Sequence, residues 1–154
     1  MSAIVRLRLA TLALFVQADR VLLLHQMTLP EPDTWDLPGG GVKPEEPLLT
    51  ALRREVQEEI GIREFTVDRL LTVAEGFFPD PKVAVPPPLD APPRLLHTVN
   101  LIYQCRLPAG PITLQADAHE VGPRGIQWLD PHSLTPEQCS TRSWAAMQAA
   151  GLVA

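Results

Sequence analysis

Three glutamates crowd one short stretch of this 154-residue chain. Glu55 and Glu58 stand three residues apart, Glu55 and Glu59 four. At about 100° per residue, an α-helix makes all three carboxylates neighbours. Like charges at these spacings repel. Glu59 also projects into the edge of an apolar arc formed by Leu48, Leu49, Leu52, Val56 and Ile60, where a carboxylate is costly without a partner. A hard divalent cation among the oxygens resolves both problems, since Mg2+ takes about six oxygens and shares its sites with substrate phosphates. The bland alternative is a solvated acidic helix face, neutralised by Arg53 and Arg54. Two features weigh against it. A helix built only for stability favours Glu–Lys ladders over clustered acids, and the run Gly39–Gly41 just upstream lets backbone approach the same place closely.

The flanking pattern supplies the elements that hold this helix. Val5, Leu7 and Leu9 alternate with Arg6 and Arg8, and Leu12, Leu14 and Val16 continue the alternation, which predicts a strand with one buried face. The same stretch has features of a secretory leader: arginines ahead of Leu9–Val16, and small residues at Val16-Gln17-Ala18. The alternation favours the strand. Val21–Leu24 makes its hairpin partner across Gln17–Arg20, and a loop runs from Thr28 to Asp33. The spacing predicts a helix over 47–60, with Pro47 in the first turn and Gly61 as its stop. Strands are expected over Phe65–Phe77, Leu95–Leu107 and Ile126–Leu129, and a last helix from Pro136 to about Ala150, ended by Gly151. Between Pro79 and Pro93 there are seven prolines in fifteen residues, which forbids helix or interior strand. That stretch reads as a stiff surface excursion, or alternatively as a lid or rim over a ligand. The expectation is one mixed α/β domain spanning residues 1–154.

Composition narrows the partners. An apolar content of 45% excludes a disordered chain, and a net charge of −5 excludes a basic protein that coats nucleic acid polymers. No run reaches the ~18 apolar residues of a membrane helix. Cys105 and Cys139 have no CxxC spacing, which argues against a disulfide framework or cysteine-bound zinc and suits a reducing, cytoplasmic compartment.

Gly40, Glu46, Arg54, Glu55, Val56, Glu58, Glu59, Gly61 and Ile62 fit the pattern Gly-x5-Glu-x7-Arg-Glu-U-x-Glu-Glu-x-Gly-U, with U apolar, without a departure. This resembles the box of the Nudix hydrolase family, and Trp35-Asp36-Leu37-Pro38-Gly39-Gly40 is similar to the usual lead-in. The resemblance implies an α/β/α sandwich with a mixed β-sheet. It also implies Mg2+- or Mn2+-dependent hydrolysis of a nucleotide-derived small molecule, a nucleoside diphosphate linked to another moiety. ADP-ribose-like compounds and nucleoside triphosphates are the leading classes. By the same resemblance Glu55, Glu58 and Glu59 bind metal, with Glu58 and Glu59 counted among the catalytic groups, and a carbonyl at Gly39 joins the ligands. Arg54 fixes a box glutamate, Glu46 supports from the edge, and Gly40 and Gly41 serve backbone shape.

The general base stays open between a box glutamate and an acid on a later loop. Glu120, in Asp117-Ala118-His119-Glu120, is the candidate outside the box, and His119 is its rival because histidine titrates near neutrality. His25 and His97 fall in strand patterns and read as packed or edge residues. Trp35, Phe77 and Phe78 are candidates for stacking on a base, with core packing as the alternative; Trp128 and Trp144 read as core. Pro79 lies 17 residues beyond the box, near where ADP-ribose pyrophosphatases have a proline, but the offset is imperfect and the chain is proline-rich. No convincing coenzyme A, NADH or dinucleoside polyphosphate hydrolase pattern accompanies the box. A nucleotide-sensing or protein-binding module on the same fold is the rival class. Such modules usually lose a box acid, and here all are present. Homodimers are common among relatives, and nothing in these residues establishes one.

Overall fold

The computed structural model describes residues 2–82 and 88–154. In chain order the elements are β1 (Ile4–Gln17), β2 (Arg20–Gln26), β3 (Thr34–Asp36), β4 (Gly39–Gly41), α1 (Leu48–Ile60), β5 (Thr66–Pro79), β6 (Arg94–Arg106), β7 (Ile126–Leu129) and α2 (Thr141–Ala149). β1 is the hub of a seven-stranded mixed sheet. It runs parallel to β6 from Ile4 through Phe15, and antiparallel to β2 and to β4. β5 pairs antiparallel with β6, while β3 and β7 flank β2.

The two faces of β1 bury different cores. Leu12 and Leu14 join Leu23, Trp35, Ala146 and Met147 on the α2 side, and Ala13 and Phe15 join Leu22, Leu52, Val56 and Ile60 on the α1 side. Two helices against opposite faces give the expected sandwich. This corrects the reading of β1 as a strand with one buried face. Its second half is buried on both faces, whereas Val5, Leu7 and Leu9 are exposed. Burial follows where a neighbouring element covers the sheet, and nothing covers those three side chains among the described residues.

α1 keeps its expected bounds within a residue. Gly61 closes it at φ +76, with its N–H bonded to the Gln57 carbonyl, a left-handed stop that favours glycine. The predicted apolar arc needs one correction: Ala51, Leu52, Val56 and Ile60 are buried, but Leu49 is 43% exposed at the uncovered first turn. The last carbonyls of α1 accept from the chain that returns after β6, Glu59 O from Asp117 N–H and Ile60 O from Gln115 N–H. These bonds satisfy orphaned helix-end acceptors and dock the 115–121 segment beside the helix.

The last helix starts later than Pro136 suggested. Pro136–Gln138 forms only a 3-10 turn, because Cys139 and Ser140 are extended, Cys139 bridging to Trp35. Ser140 then caps α2 by accepting from the Ser143 N–H. The lid-or-excursion reading of Pro79–Pro93 falls partly outside the described residues. Of the rest, Pro79 ends the edge strand β5, and no described residue between 79 and 93 lines the cleft. No described helix is long and apolar enough to cross a membrane.

Candidate active site

A cleft of about 350 Å³ opens where β4 and α1 meet β1, β6 and the 119–120 loop. Two glycines let helix and strand close on each other there. Gly39 has φ +138, and a Cβ on it would lie 2.2 Å from the Thr11 carbonyl oxygen. Its N–H donates to Glu59 Oε1 at 2.7 Å. A Cβ on Gly40 would lie 2.5 Å from Glu55 Oε2, so a carboxylate occupies the space of the missing side chain.

Arg54 organises the acids around it. Its Nε and Nη2 donate to both oxygens of Glu46 at 2.7 and 2.8 Å, its Nη1 to Glu55 at 2.8 Å and to Glu58 at 3.3 Å, and Nη2 also to the Gly41 carbonyl. The guanidinium, with the Lys43 N–H, holds the Glu46 carboxyl down at about 2. One residue thereby ties the β4 backbone, the approach to α1 and the first acid of the helix together.

Glu55, Glu59 and Glu120 each bring a carboxylate oxygen within 4.8 Å of the others. Glu58 is not in this group. Residues 55 and 59 share one row of the helix, offset by about 40°, while residue 58 turns about 60° the other way. The Glu58 side chain accordingly stands 47% exposed and meets only the edge of Arg54. Glu120 takes the place in the cluster that the spacing alone assigned to Glu58, because the loop bonded to the end of α1 delivers it. His119 lines the same cleft.

The cluster's inner side has no ion-paired cation among the described residues, although Arg142 acts on Glu59 from a distance. Among the described residues neither Glu59 nor Glu120 forms an ion pair. Burial pushes the Glu59 carboxyl up to about 9 despite the bond from Gly39, and Asp36 and Glu120 add to the rise. Burial and the Glu55 charge raise Glu120 as well. Three oxygen donors with unbalanced negative charge fit a hard divalent cation.

A second charged group borders the cleft, and sequence reasoning missed it. Arg142 grips Asp36 through two bonds of 3.0 and 2.7 Å, and its Nη1 donates to Asn100 at 3.0 Å. Ser140 Oγ donates to Asp36 at 2.7 Å. Burial alone would raise the Asp36 carboxyl, but Arg142 and Ser140 outweigh it and hold the acid below its ordinary range. Asp36 lay in the lead-in to the glycines; Arg142, 106 residues away, carried no signal.

The aromatic candidates separate. Phe78 lines the cleft. Phe77 points outward, 70% exposed and stacked on His97 at 4.4 Å between ring centres. Trp35 is 7% exposed and packed in the α2-side core beside His25, which removes it from the surface a base can reach. His25 is buried, bonded to Asp33 and to the Arg124 N–H, and His97 pairs with Glu75. Trp128 and Trp144 pack against the two cores.

This mixed sheet between two helices matches the fold of solved Nudix hydrolases. A MutT Nudix hydrolase from Burkholderia pseudomallei superposes with a TM-score of 0.68 at 22% identity, covering 94% of this chain and 98% of that one. Residues 6–148 match the family model of the NUDIX domain, and the chain belongs to the Nudix family of hydrolases, enzymes generally dependent on divalent metal. Among curated relatives, the nucleoside triphosphatase NudI of Escherichia fergusonii is 27% identical over 143 residues, 90% of this chain and 93% of that protein. Diphosphoinositol polyphosphate phosphohydrolase 2 of Rattus norvegicus is 46% identical over 60 residues, 39% of this chain. That match spans 32% of the rat protein's length.

Proposed function

We propose that this cleft hydrolyses a nucleoside diphosphate linked to a further group, with Mg2+ or Mn2+ held by Glu55, Glu59 and Glu120. The observation that carries the reading is the convergence of those three carboxylates within 4.8 Å, with Glu59 buried and short of a counter-charge. When bound, the cation supplies charge neutralisation for the diphosphate and makes a coordinated water more acidic.

The chain's own residues do the rest. Gly39 N–H holds one oxygen of Glu59 and so fixes the carboxylate's direction. Arg54 orients Glu55 while Glu46 holds Arg54. Glu120, delivered to the cluster by the segment bonded to the end of α1, also accepts the proton of the attacking water through its second carboxylate oxygen. Glu58 has a lesser part, acting through Arg54. Phe78 offers the cleft's aromatic surface to a base. Full-length similarity to a protein named as a nucleoside triphosphatase supports triphosphates as the first class to test, with ADP-ribose second. Residues 1–154 act as one domain, and the two free, buried cysteines suit a reducing, cytoplasmic compartment.

The test is release of AMP or phosphate from a nucleotide panel with Mg2+, comparing the wild type with Glu58→Gln and Glu59→Gln. Metal-dependent turnover that collapses in Glu59→Gln supports the reading. Tight nucleotide binding without turnover replaces it with a sensor, and neither replaces it with an inert scaffold.

A further inference from the structure

Arg6 and Arg8 stand two residues apart on β1 and point to the same face of the sheet. Arg6 is matched by a bidentate pair with Asp80, at 2.9 and 2.8 Å. Arg142, on the same cleft, is matched by Asp36. Arg8 lines the cleft too, half-buried, yet among the described residues its guanidinium makes no ion pair and no hydrogen bond. Burial lowers its pKa first and Arg142 lowers it further; Glu55 and Asp36 act the other way but leave the net shift downward, so the folded chain holds this charge at a disadvantage. A desolvated guanidinium with five donors and no acceptor is matched best by a phosphate or carboxylate oxygen pair.

Its position says which anion. The guanidinium lies against Gly41, with Nη2 and Nε 3.6 and 3.7 Å from where a Cβ on that glycine would sit. Gly39, at the other end of β4, holds Glu59 of the acidic cluster. The two ends of this short strand are about 7 Å apart at ~3.3 Å per residue. An anion laid along β4 therefore meets the acidic, cation-binding end first and Arg8 second, a separation that a short phosphate chain bridges.

We propose that Arg8 is a specificity-determining residue that binds a phosphate beyond the diphosphate gripped at the acidic cluster, so that the cleft favours substrates whose diphosphate carries a further charged phosphate. This rests on the proposed hydrolysis for its catalytic meaning, but the binding itself does not. A nucleoside triphosphate satisfies Arg8; ADP-ribose, whose diphosphate ends in a neutral sugar, does not.

Two measurements on the full chain test it. Calorimetry with inorganic tripolyphosphate in EDTA compares the wild type with Arg8→Gln, Arg8→Lys and Glu59→Gln. The expected result is at least ~10-fold weaker binding in Arg8→Gln, an intermediate affinity in Arg8→Lys and retained binding in Glu59→Gln. An Arg8→Gln titration that overlays the wild type, including one where neither binds, overturns the proposal whatever the enzyme turns over. With Mg2+ present, the ratio of kcat/KM for triphosphates to kcat/KM for ADP-ribose is expected to fall at least ~10-fold in Arg8→Gln, chiefly through KM. Equal losses on both substrates also overturn it, while loss of all turnover only in Glu59→Gln leaves the hydrolytic reading standing. If the wild type turns over neither substrate, the hydrolytic reading fails and the calorimetry alone decides Arg8.

Discussion

Glu59 lines the cleft and Asp36 lies buried behind it, within electrostatic reach, and the protein treats these two carboxylates in opposite ways. Asp36 is fully enclosed but bonded by Arg142 and Ser140, and its carboxyl sits below the ordinary value. Glu59 has one backbone N–H and, among the described residues, no bonded cation, and its carboxyl rises to about 9. The first is an acid completed by the fold. The second is an acid the fold leaves incomplete, which is the imbalance that a bound divalent ion corrects under the proposed function. Structural and working acids here differ in their partners, while their residue type is almost the same.

The contrast makes opposite predictions for neutralising each acid or its partner. Glu59→Gln is expected to lower kcat with Mg2+ by ~10³-fold or more while raising the Tm of the EDTA-treated protein at pH 8, since it removes the cost of protonating a buried carboxyl on folding and keeps an acceptor for Gly39. Arg142→Met leaves Asp36 charged and unpaired; it should cost about 3–5 kcal/mol in denaturant unfolding, and adding Asp36→Asn should restore part of that loss. Glu120→Gln is expected to leave the unfolding midpoint within error and lower kcat by ~100-fold, with near-normal turnover removing it as the base.

Smaller effects separate the glycines. Gly40→Ala pushes a methyl into Glu55 and should reduce kcat by about tenfold, whereas Gly41→Ala meets Arg8 at 3.6 Å, an ordinary contact, and should change kcat less. The weakest signal is the pH dependence of Tm. Glu59 has its folded pKa, about 9, above its ordinary 4.5, so its contribution to stability is full below 4.5 and is lost as pH rises toward 9; Glu120 acts in the same direction. Glu46 and Asp80, both held at about 2, contribute stability above their ordinary values that is lost as pH falls toward 2. In EDTA the Tm should therefore peak near pH 5, and Mg2+ should raise it mainly on the alkaline side. An identical alkaline slope with and without Mg2+ would argue that Glu59 holds no ion.

The helix and the box around it were legible because their signals are local. The apolar period placed Leu52, Val56 and Ile60 inward, Gly61 marked the stop, and the carboxylate spacing put Glu55 and Glu59 on one row. The exchange of Glu58 for Glu120 was not legible. It depends on the 115–121 segment bonding to the last carbonyls of α1, contacts made across more than 50 residues. The late start of α2 was hidden for a similar reason, since Cys139 and Ser140 are drawn into extended pairing beside Trp35.

By itself the chain's order of residues determined five of the seven strands, the acidic helix, the glycines that admit it and the family to which they belong, because each follows from spacing over one or two turns or from the absence of a Cβ. Only tertiary structure decided which carboxylates meet, that Arg142 completes Asp36, that Trp35 is core while Phe78 faces the cleft, and that the Arg8 guanidinium stands in the cleft without a partner among the described residues. Those outcomes are set by which distant side chains arrive at the same place, and charge compensation is a property of that place and of no single segment.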